Sequence, residues 1–137
     1  MALKFVLLLV LLCPFPQREN ANSGIDFFKG SFNEALQAAR QSGKPLLVDV
    51  YADWCGPCKK LKRETFRDRE AAAYFNKNFV CYSLDGETPD GIAVRQLYTI
   101  RSYPTLLILD GNGKLLTKTE GFMKPYILMN FGRRIVP

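Results

Sequence analysis

The chain has 137 residues, 47% of them hydrophobic, and a formal net charge of +6 at pH 7. This length suits one domain, and the apolar content is sufficient for a hydrophobic core. The basic residues are densest at 59–63, and no aromatic stacking platform or DNA-reading motif accompanies this basic cluster. We therefore interpret the cluster as a solvated helix face and expect no nucleic-acid partner.

The first 23 residues have the layout of a secretory signal peptide. Lys4 precedes eight apolar residues, Phe5 to Leu12, and small residues that suit a cleavage site follow at 21–23. This apolar run is too short for a membrane-spanning helix, which needs about 20 residues. We predict a signal peptide over 1–23 and a mature domain over 24–137. A frayed N-terminal helix is the alternative.

Cys13 follows the apolar run and leaves two alternatives open. It could accept a lipid anchor, although Leu12 precedes it where lipoprotein signals have a small residue. The leader could also stay attached to the domain. We expect instead that Cys13 is removed with the signal peptide.

The N-terminal half of the domain reads as a β-α-β unit. Residues 25–28 could form a short edge strand. Ser31 with Glu34 three positions later forms the pattern of a capping box and starts a helix that Gly43 ends. The near-continuous apolar run 46–52 is typical of a buried strand. We then predict a helix over 56–76, kinked near 66–68, and a strand over 79–84.

The second half of the domain is predicted as a connecting helix, a hairpin and a closing helix. Residues 92–97 suit the short helix, and strands over 105–109 and 114–119 flank the turn 110–113. The last helix spans 123–134. Because strand 46–52 returns beside strand 79–84 through a helix, we expect these two strands to be parallel.

Cys55 and Cys58 lie where the predicted strand changes into a helix. Free backbone N–H groups and the positive end of the helix dipole stabilise a thiolate there, so we expect Cys55 to be a nucleophile. Two intervening residues bring Cys58 round one helical turn, within reach of a disulfide. The motif indicates dithiol–disulfide exchange, in which Cys55 attacks a substrate disulfide and Cys58 resolves the mixed disulfide.

Half of a zinc site is the alternative interpretation of a Cys-x-x-Cys pair. Zinc takes about four nitrogen or sulfur ligands. The chain has no histidine and, past the leader, only Cys81 besides the pair. Unless two chains share a site, we expect no metal, and no cofactor other than the redox-active disulfide Cys55–Cys58.

Two separate segments of the chain resemble the thioredoxin family. LLVDVYADWCGPCKKLK (46–62) looks like the family's active-site strand, turn and helix, and IRSYPTLLILDGNGK (100–114) looks like the segment with its cis-proline. The match spans about residues 44–121. It implies an α/β thioredoxin fold, with a central mixed sheet of four to five strands flanked by helices. The leader and the N-terminal segment are similar to exported thioredoxin-like proteins of bacterial envelopes.

Asp49 interrupts the apolar strand six positions before Cys55. A buried charge at this point would be costly. In the thioredoxin family the matching aspartate lies beneath the disulfide, so the resemblance implies that Asp49 helps to deprotonate Cys58. A raised pKa would suit that role. An Asp49 side chain turned to solvent is the alternative.

The resemblance also implies a substrate-binding surface around the thiols. Its residues in this chain are Trp54, Gly56, Pro57, Tyr103, Pro104 and Gly121. A cis bond before Pro104 would present the backbone of Tyr103 to an extended substrate. An ordinary trans-proline is the alternative there, and a packing role fits Trp54 equally well.

Cys81 departs from the family's pattern. It stands where thioredoxins commonly carry a lysine that pairs with the buried aspartate, so Asp49 would lose that partner. The sulfur of Cys81 could approach the active-site pair. We favour the alternative of a buried structural thiol, the usual fate of a lone strand cysteine.

These features predict an exported, periplasmic thiol–disulfide oxidoreductase. A histidine between the cysteines, which strongly oxidising relatives carry, is absent, so we expect a protein-disulfide reductase. It would act as a monomer on disulfide-containing proteins and receive electrons from a membrane-embedded thiol donor. A disulfide oxidase or isomerase is the first alternative, and a binding module without turnover is the second.

Overall fold

The computed structural model describes residues 24–137. The predicted signal peptide and Cys13 lie outside these residues. Within them, no helix combines the length and the apolar character that crossing a bilayer requires.

The described residues form four strands, five α-helices and one π-helical turn. In chain order they are α1 (Phe32–Ser42), β1 (Leu46–Tyr51), α2 (Gly56–Lys60), the π turn (Leu61–Thr65), α3 (Arg69–Asn78), β2 (Val80–Asp85), α4 (Pro89–Leu97), β3 (Thr105–Leu109), β4 (Leu115–Glu120) and α5 (Pro125–Arg133). Most bounds lie within two or three residues of the predicted ones.

Helix α1 begins and ends as its sequence predicts. The Ser31 hydroxyl accepts a hydrogen bond from the Glu34 backbone N–H at 3.2 Å, and the Glu34 carboxylate accepts one from the Ser31 backbone N–H at 2.6 Å. Gly43 ends the helix at φ +68°, a left-handed conformation in which glycine is favoured. The predicted capping box is confirmed.

The predicted helix over 56–76 is three elements rather than one. After the π turn the chain leaves helical geometry, and Asp68 starts α3 by accepting a hydrogen bond from the Ala71 backbone N–H at 2.9 Å. A second anchor is the Thr65 hydroxyl, which is buried and donates to the Met123 carbonyl at 2.6 Å. The predicted edge strand over 25–28 is reduced to a single bridge between Phe27 and Cys81.

The sheet has the strand order β2-β1-β3-β4. Strand β1 pairs with β2 in parallel, as predicted, and the pairs β1–β3 and β3–β4 are antiparallel. This mixed four-stranded sheet flanked by helices is the thioredoxin fold.

The sheet separates two hydrophobic cores. Its first face carries Leu47, Leu106 and Ile108, which pack against residues of the π turn, α3 and α5. Its second face carries Leu46, Val48, Val50, Leu107 and Leu109, which pack against α1 and α4. Because side chains alternate along a strand, Asp49 lies on the first face with Leu47, beneath the helical segment that starts at the cysteines.

Candidate active site

Cys55 and Cys58 form a disulfide at the start of α2, with their Cα atoms 5.3 Å apart. Cys55 is the N-cap residue, and the Cys58 backbone N–H points at its Sγ at 3.2 Å. Both side chains are almost fully buried, at 3% and 2% exposure. A thiolate on Cys55 would therefore have a helix N-terminus and a directed N–H donor to stabilise it.

Asp49 is buried at 1% exposure, so the alternative of a side chain turned to solvent is wrong. The Ser83 hydroxyl on β2 donates to its Oδ2 at 2.8 Å, and Oδ1 has no hydrogen-bond partner within residues 24–137. Burial raises the pKa of Asp49 to about 6, against the opposing influence of the Ser83 hydrogen bond and the Lys62 charge. The carboxyl can thus gain and lose a proton near neutral pH.

The interpretation of the basic cluster as a solvated helix face is wrong for Lys62. Lys59, Lys60 and Arg63 are exposed, but Lys62 is half-buried and its Nζ lies 2.9 Å from the centre of the Tyr51 ring. Burial lowers the pKa of Lys62, while the nearby carboxylates, Asp49 foremost, act in the opposite direction.

The predicted cis bond is present between Tyr103 and Pro104. The Tyr103 side chain packs against the apolar group that contains both cysteines, and its ring meets that of Trp54 edge to face at 5.8 Å. The Pro104 carbonyl accepts a hydrogen bond from the Gly121 N–H at 2.8 Å. The fold therefore places Gly121 beside the cis-proline.

The surface around the disulfide is open to a large partner. Trp54 is 72% exposed, and Gly56 and Pro57 are exposed as well. Pro57 lies in the first turn of α2, where its missing N–H costs nothing. Apart from its neighbours along the chain and the backbone of its own helix, a Cβ at Gly56 would meet no atom of the described residues within 4 Å, so packing does not require glycine there.

Cys81 is a free, buried thiol, which confirms the favoured prediction. It belongs to the hydrophobic cluster that contains Ile25, Phe66 and Phe79, whereas the two active-site cysteines belong to a different cluster. The β1–β2 register pairs Cys81 with Leu47 and Ser83 with Asp49. Burial raises the pKa of the Cys81 thiol far above its ordinary value.

Sequence reasoning missed two residues of this site, Ser83 and Lys62. Ser83 carried a signal, because a serine in a predicted buried strand needs a partner and Asp49 occupies the neighbouring strand. Lys62 carried none, since it stands among three similar residues. Within residues 24–137, no group of three or more histidine, cysteine, aspartate or glutamate side chains is arranged to hold a metal ion.

Comparison with known proteins places these features in one family. The Thioredoxin-like family profile matches residues 28–111. The thiol:disulfide interchange protein DsbD of Pseudoalteromonas atlantica is 35% identical over 96 residues, which cover 68% of this chain and 16% of that protein. The DsbD of Colwellia psychrerythraea is 36% identical over 96 residues, with the same 16% covered. The chain therefore spans about a sixth of the length of these curated relatives.

Two solved structures have the same fold. A candidate disulphide-isomerase from Bacteroides thetaiotaomicron is 38% identical, with a TM-score of 0.71 over 80% of this chain and 91% of that one. The C-terminal domain of Neisseria meningitidis DsbD, in its oxidised form, has a TM-score of 0.65 over 80% of this chain and 97% of that one. Its 21% identity supports the likeness in fold alone.

Proposed function

This chain belongs to the thioredoxin-like family, as a thiol–disulfide oxidoreductase domain, and we propose that it reduces protein disulfides through Cys55 and Cys58. The observation that carries the proposal is the position of Cys55. Its sulfur caps α2 and receives the Cys58 N–H at 3.2 Å, so the reduced form would present a stabilised thiolate to a substrate.

The reaction would transfer two electrons from the dithiol to a substrate disulfide. The Cys55 thiolate attacks one substrate sulfur, forms a mixed disulfide and expels the other sulfur as a thiolate, which takes a proton from water. Asp49 then accepts the proton of Cys58, and the Cys58 thiolate attacks the Sγ of Cys55. This step forms the Cys55–Cys58 disulfide and releases the second substrate thiolate, to which Asp49 returns its proton.

Substrate would dock on the exposed surface around the disulfide. The main chain of Tyr103, presented by the cis bond before Pro104, would pair with an extended substrate segment. Trp54 would contribute apolar contact area beside the sulfur atoms. Gly56, Pro57 and Gly121 would form the rest of this surface.

The setting that fits this chemistry is the periplasm. The predicted leader supports export, and the curated relatives are named as thiol:disulfide interchange proteins. Because a reductase outside the cytosol must be reduced again after each turnover, we propose a membrane-embedded thiol protein as its electron donor. The electron acceptors would be disulfide-containing proteins. We propose that the chain acts on them as a monomer.

A disulfide isomerase is the second candidate, favoured by the 38% identity to the candidate disulphide-isomerase. The redox potential of the Cys55–Cys58 pair, measured in glutathione buffers by trapping free thiols, distinguishes a reductase from an isomerase. A potential of about −270 mV, as in thioredoxin, would support a reductase. A potential of about −180 mV or higher, as in protein disulfide isomerase and stronger oxidants, would contradict the proposed reductase.

The cysteine variants test the mechanism itself. Cys58→Ala should accumulate a mixed disulfide through Cys55, because nothing resolves it, and Cys55→Ala should form none. Cys81→Ala is the matched control, because Cys81 is buried away from the pair, and it should keep full turnover. Unchanged disulfide reduction by Cys55→Ala would contradict the proposal.

A further inference from the structure

A groove of about 530 Å³ opens on the β2 side of the active-site strand. Its wall includes Tyr51 from β1, Lys62 from the π turn, and Ser83 from β2. The groove is separate from the surface that exposes Trp54, and its wall contains neither cysteine. Asp49 does not line the groove. Two residues of the groove wall act on its carboxyl: Ser83 through a hydrogen bond and Lys62 through its charge.

Ser83 makes the direct contact with the buried carboxyl. Its hydroxyl donates to Asp49 Oδ2 at 2.8 Å, which favours the ionised form of Asp49. This bond occupies one oxygen and leaves Oδ1 without a hydrogen-bond partner among residues 24–137. Oδ1 is therefore the oxygen that is free to receive a proton.

Lys62 supplies a positive charge that favours the ionised form of the same carboxyl. The ring of Tyr51, two residues along β1 on the same face as Asp49, lies under its Nζ and holds the side chain over the strand. Within residues 24–137, Lys62 and Asp49 do not form a direct ion pair. The ion pair that is present there joins Arg63 and Glu64. Lys62 thus acts on Asp49 through space.

Four other charged groups lie near Lys62 or along the groove, each from a different segment of the chain. Asp53 follows β1 and Asp85 ends β2, and both carboxylates favour the charged form of Lys62. Lys29 and Arg67 line the groove from the chain before α1 and from the loop after the π turn, and both are exposed to solvent. Among these cations, Lys62 alone is half-buried, so its charge is screened least by water.

Resting on the proposed function, we propose that Lys62 and Ser83 are positioning residues for thiol exchange, which hold the Asp49 carboxylate ionised so that Oδ1 can take the proton of Cys58. The proton then moves from Cys58 Sγ to Asp49 Oδ1, and the resulting thiolate attacks the mixed disulfide at Cys55. Without Lys62 or Ser83, Asp49 would be protonated in a larger fraction of molecules at neutral pH and would accept the proton less often.

The first test measures the pKa of Asp49 in the oxidised full chain by ¹³C NMR of its carboxyl carbon, assigned with Asp49→Asn. Lys62→Met and Ser83→Ala should each raise this pKa by about 0.5 to 1 pH unit, since the group removed favours the carboxylate. Lys62→Arg keeps the charge and Ser83→Thr keeps the hydroxyl, so both should stay near the wild-type value.

Arg63→Met is the matched control, because it removes the same charge from the neighbouring, exposed residue. It should leave the pKa of Asp49 unchanged. A wild-type pKa in Lys62→Met, or an equal shift in Arg63→Met, would overturn the proposal. This titration needs no turnover, so its result does not depend on whether the chain proves to be a reductase.

The second test follows the pH dependence of mixed-disulfide resolution. The acid limb of the rate profile should move to higher pH in Lys62→Met and Ser83→Ala by the same amount as the pKa of Asp49. A shifted pKa with an unshifted rate profile would overturn the role in exchange. If the wild-type protein resolves no mixed disulfide at any pH, the proposed function fails, whereas the titration still decides how Asp49 is held.

Discussion

At the scale of single residues, the buried position of Asp49 lowers the stability of the fold whenever its carboxyl is ionised. Its pKa is raised to about 6 by burial, whereas an unfolded chain would release the proton near pH 3.9. Between these two values the folded protein binds more protons than the unfolded chain. The free energy of unfolding therefore falls as pH rises through this window, and the loss persists at every higher pH.

This cost predicts how Asp49→Asn changes stability with pH. The neutral amide avoids the buried charge, so the variant should be more stable than the wild type at pH 8, by about 3 kcal/mol for a shift of about two pKa units. At pH 4 the Asp49 carboxyl is protonated in the folded protein, and the difference should nearly vanish. Urea unfolding of the oxidised protein at both pH values measures this difference.

Asp53→Asn is the control for that measurement, because Asp53 is an exposed carboxylate only four residues away. It should change stability little at either pH. A gain in Asp49→Asn of equal size at pH 4 and pH 8 would contradict a pKa raised by burial, since only ionisation distinguishes the two conditions.

At the scale of elements, the two ends of α1 show how local sequence fixes a helix. The capping box satisfies two backbone N–H groups that would otherwise lack partners at the helix start. Ser31→Ala should lower the free energy of unfolding by about 1 kcal/mol, because the Glu34 N–H loses its acceptor. Chemical denaturation of the two proteins measures the loss.

Gln37→Ala, at an exposed position within α1, is the matched control. It should leave stability within about 0.5 kcal/mol of the wild type, because alanine favours a helix slightly more than glutamine does. A loss of the same size in both variants would mean that the Ser31 hydroxyl contributes nothing as a cap.

The elements also mark where prediction from sequence ended. Caps, turns and strand patterns are local signals, so α1, the hairpin β3–β4 and the sites of Cys55, Cys58 and Asp49 could be predicted. The parallel register that places Ser83 opposite Asp49 is set by packing between distant segments, which no local pattern records. Lys62 points inward because the Tyr51 ring lies beneath it, and the basic cluster itself gives no sign of which cation does so.

At the scale of the whole molecule, strands β1 and β3 contribute to both cores, so the two faces of the sheet should unfold together. Helix α5 closes the first face by packing against α3. Gly132 lies at their contact, where a Cβ would come within 2.7 Å of Tyr74 Cε1 and 2.8 Å of Phe75 Cζ. The Tyr74 hydroxyl also donates to the Val136 carbonyl at 2.6 Å, which ties the end of the chain to α3.

Gly132→Ala should therefore destabilise the whole domain. Alanine gains up to about 1 kcal/mol in helix propensity, but overpacking against two aromatic rings costs about 1–3 kcal/mol, and the backbone of α5 has to shift. Asn130→Ala, at an exposed position of the same helix, should leave stability equal or slightly higher.

In urea unfolding, Trp54 fluorescence reports the surface beside the cysteines, and far-ultraviolet circular dichroism reports the helices. Both midpoints should fall together in Gly132→Ala, because the shared sheet couples the cores. A Trp54 transition that stays at the wild-type midpoint while the helical signal is lost earlier would mean that α5 docks as an independent unit.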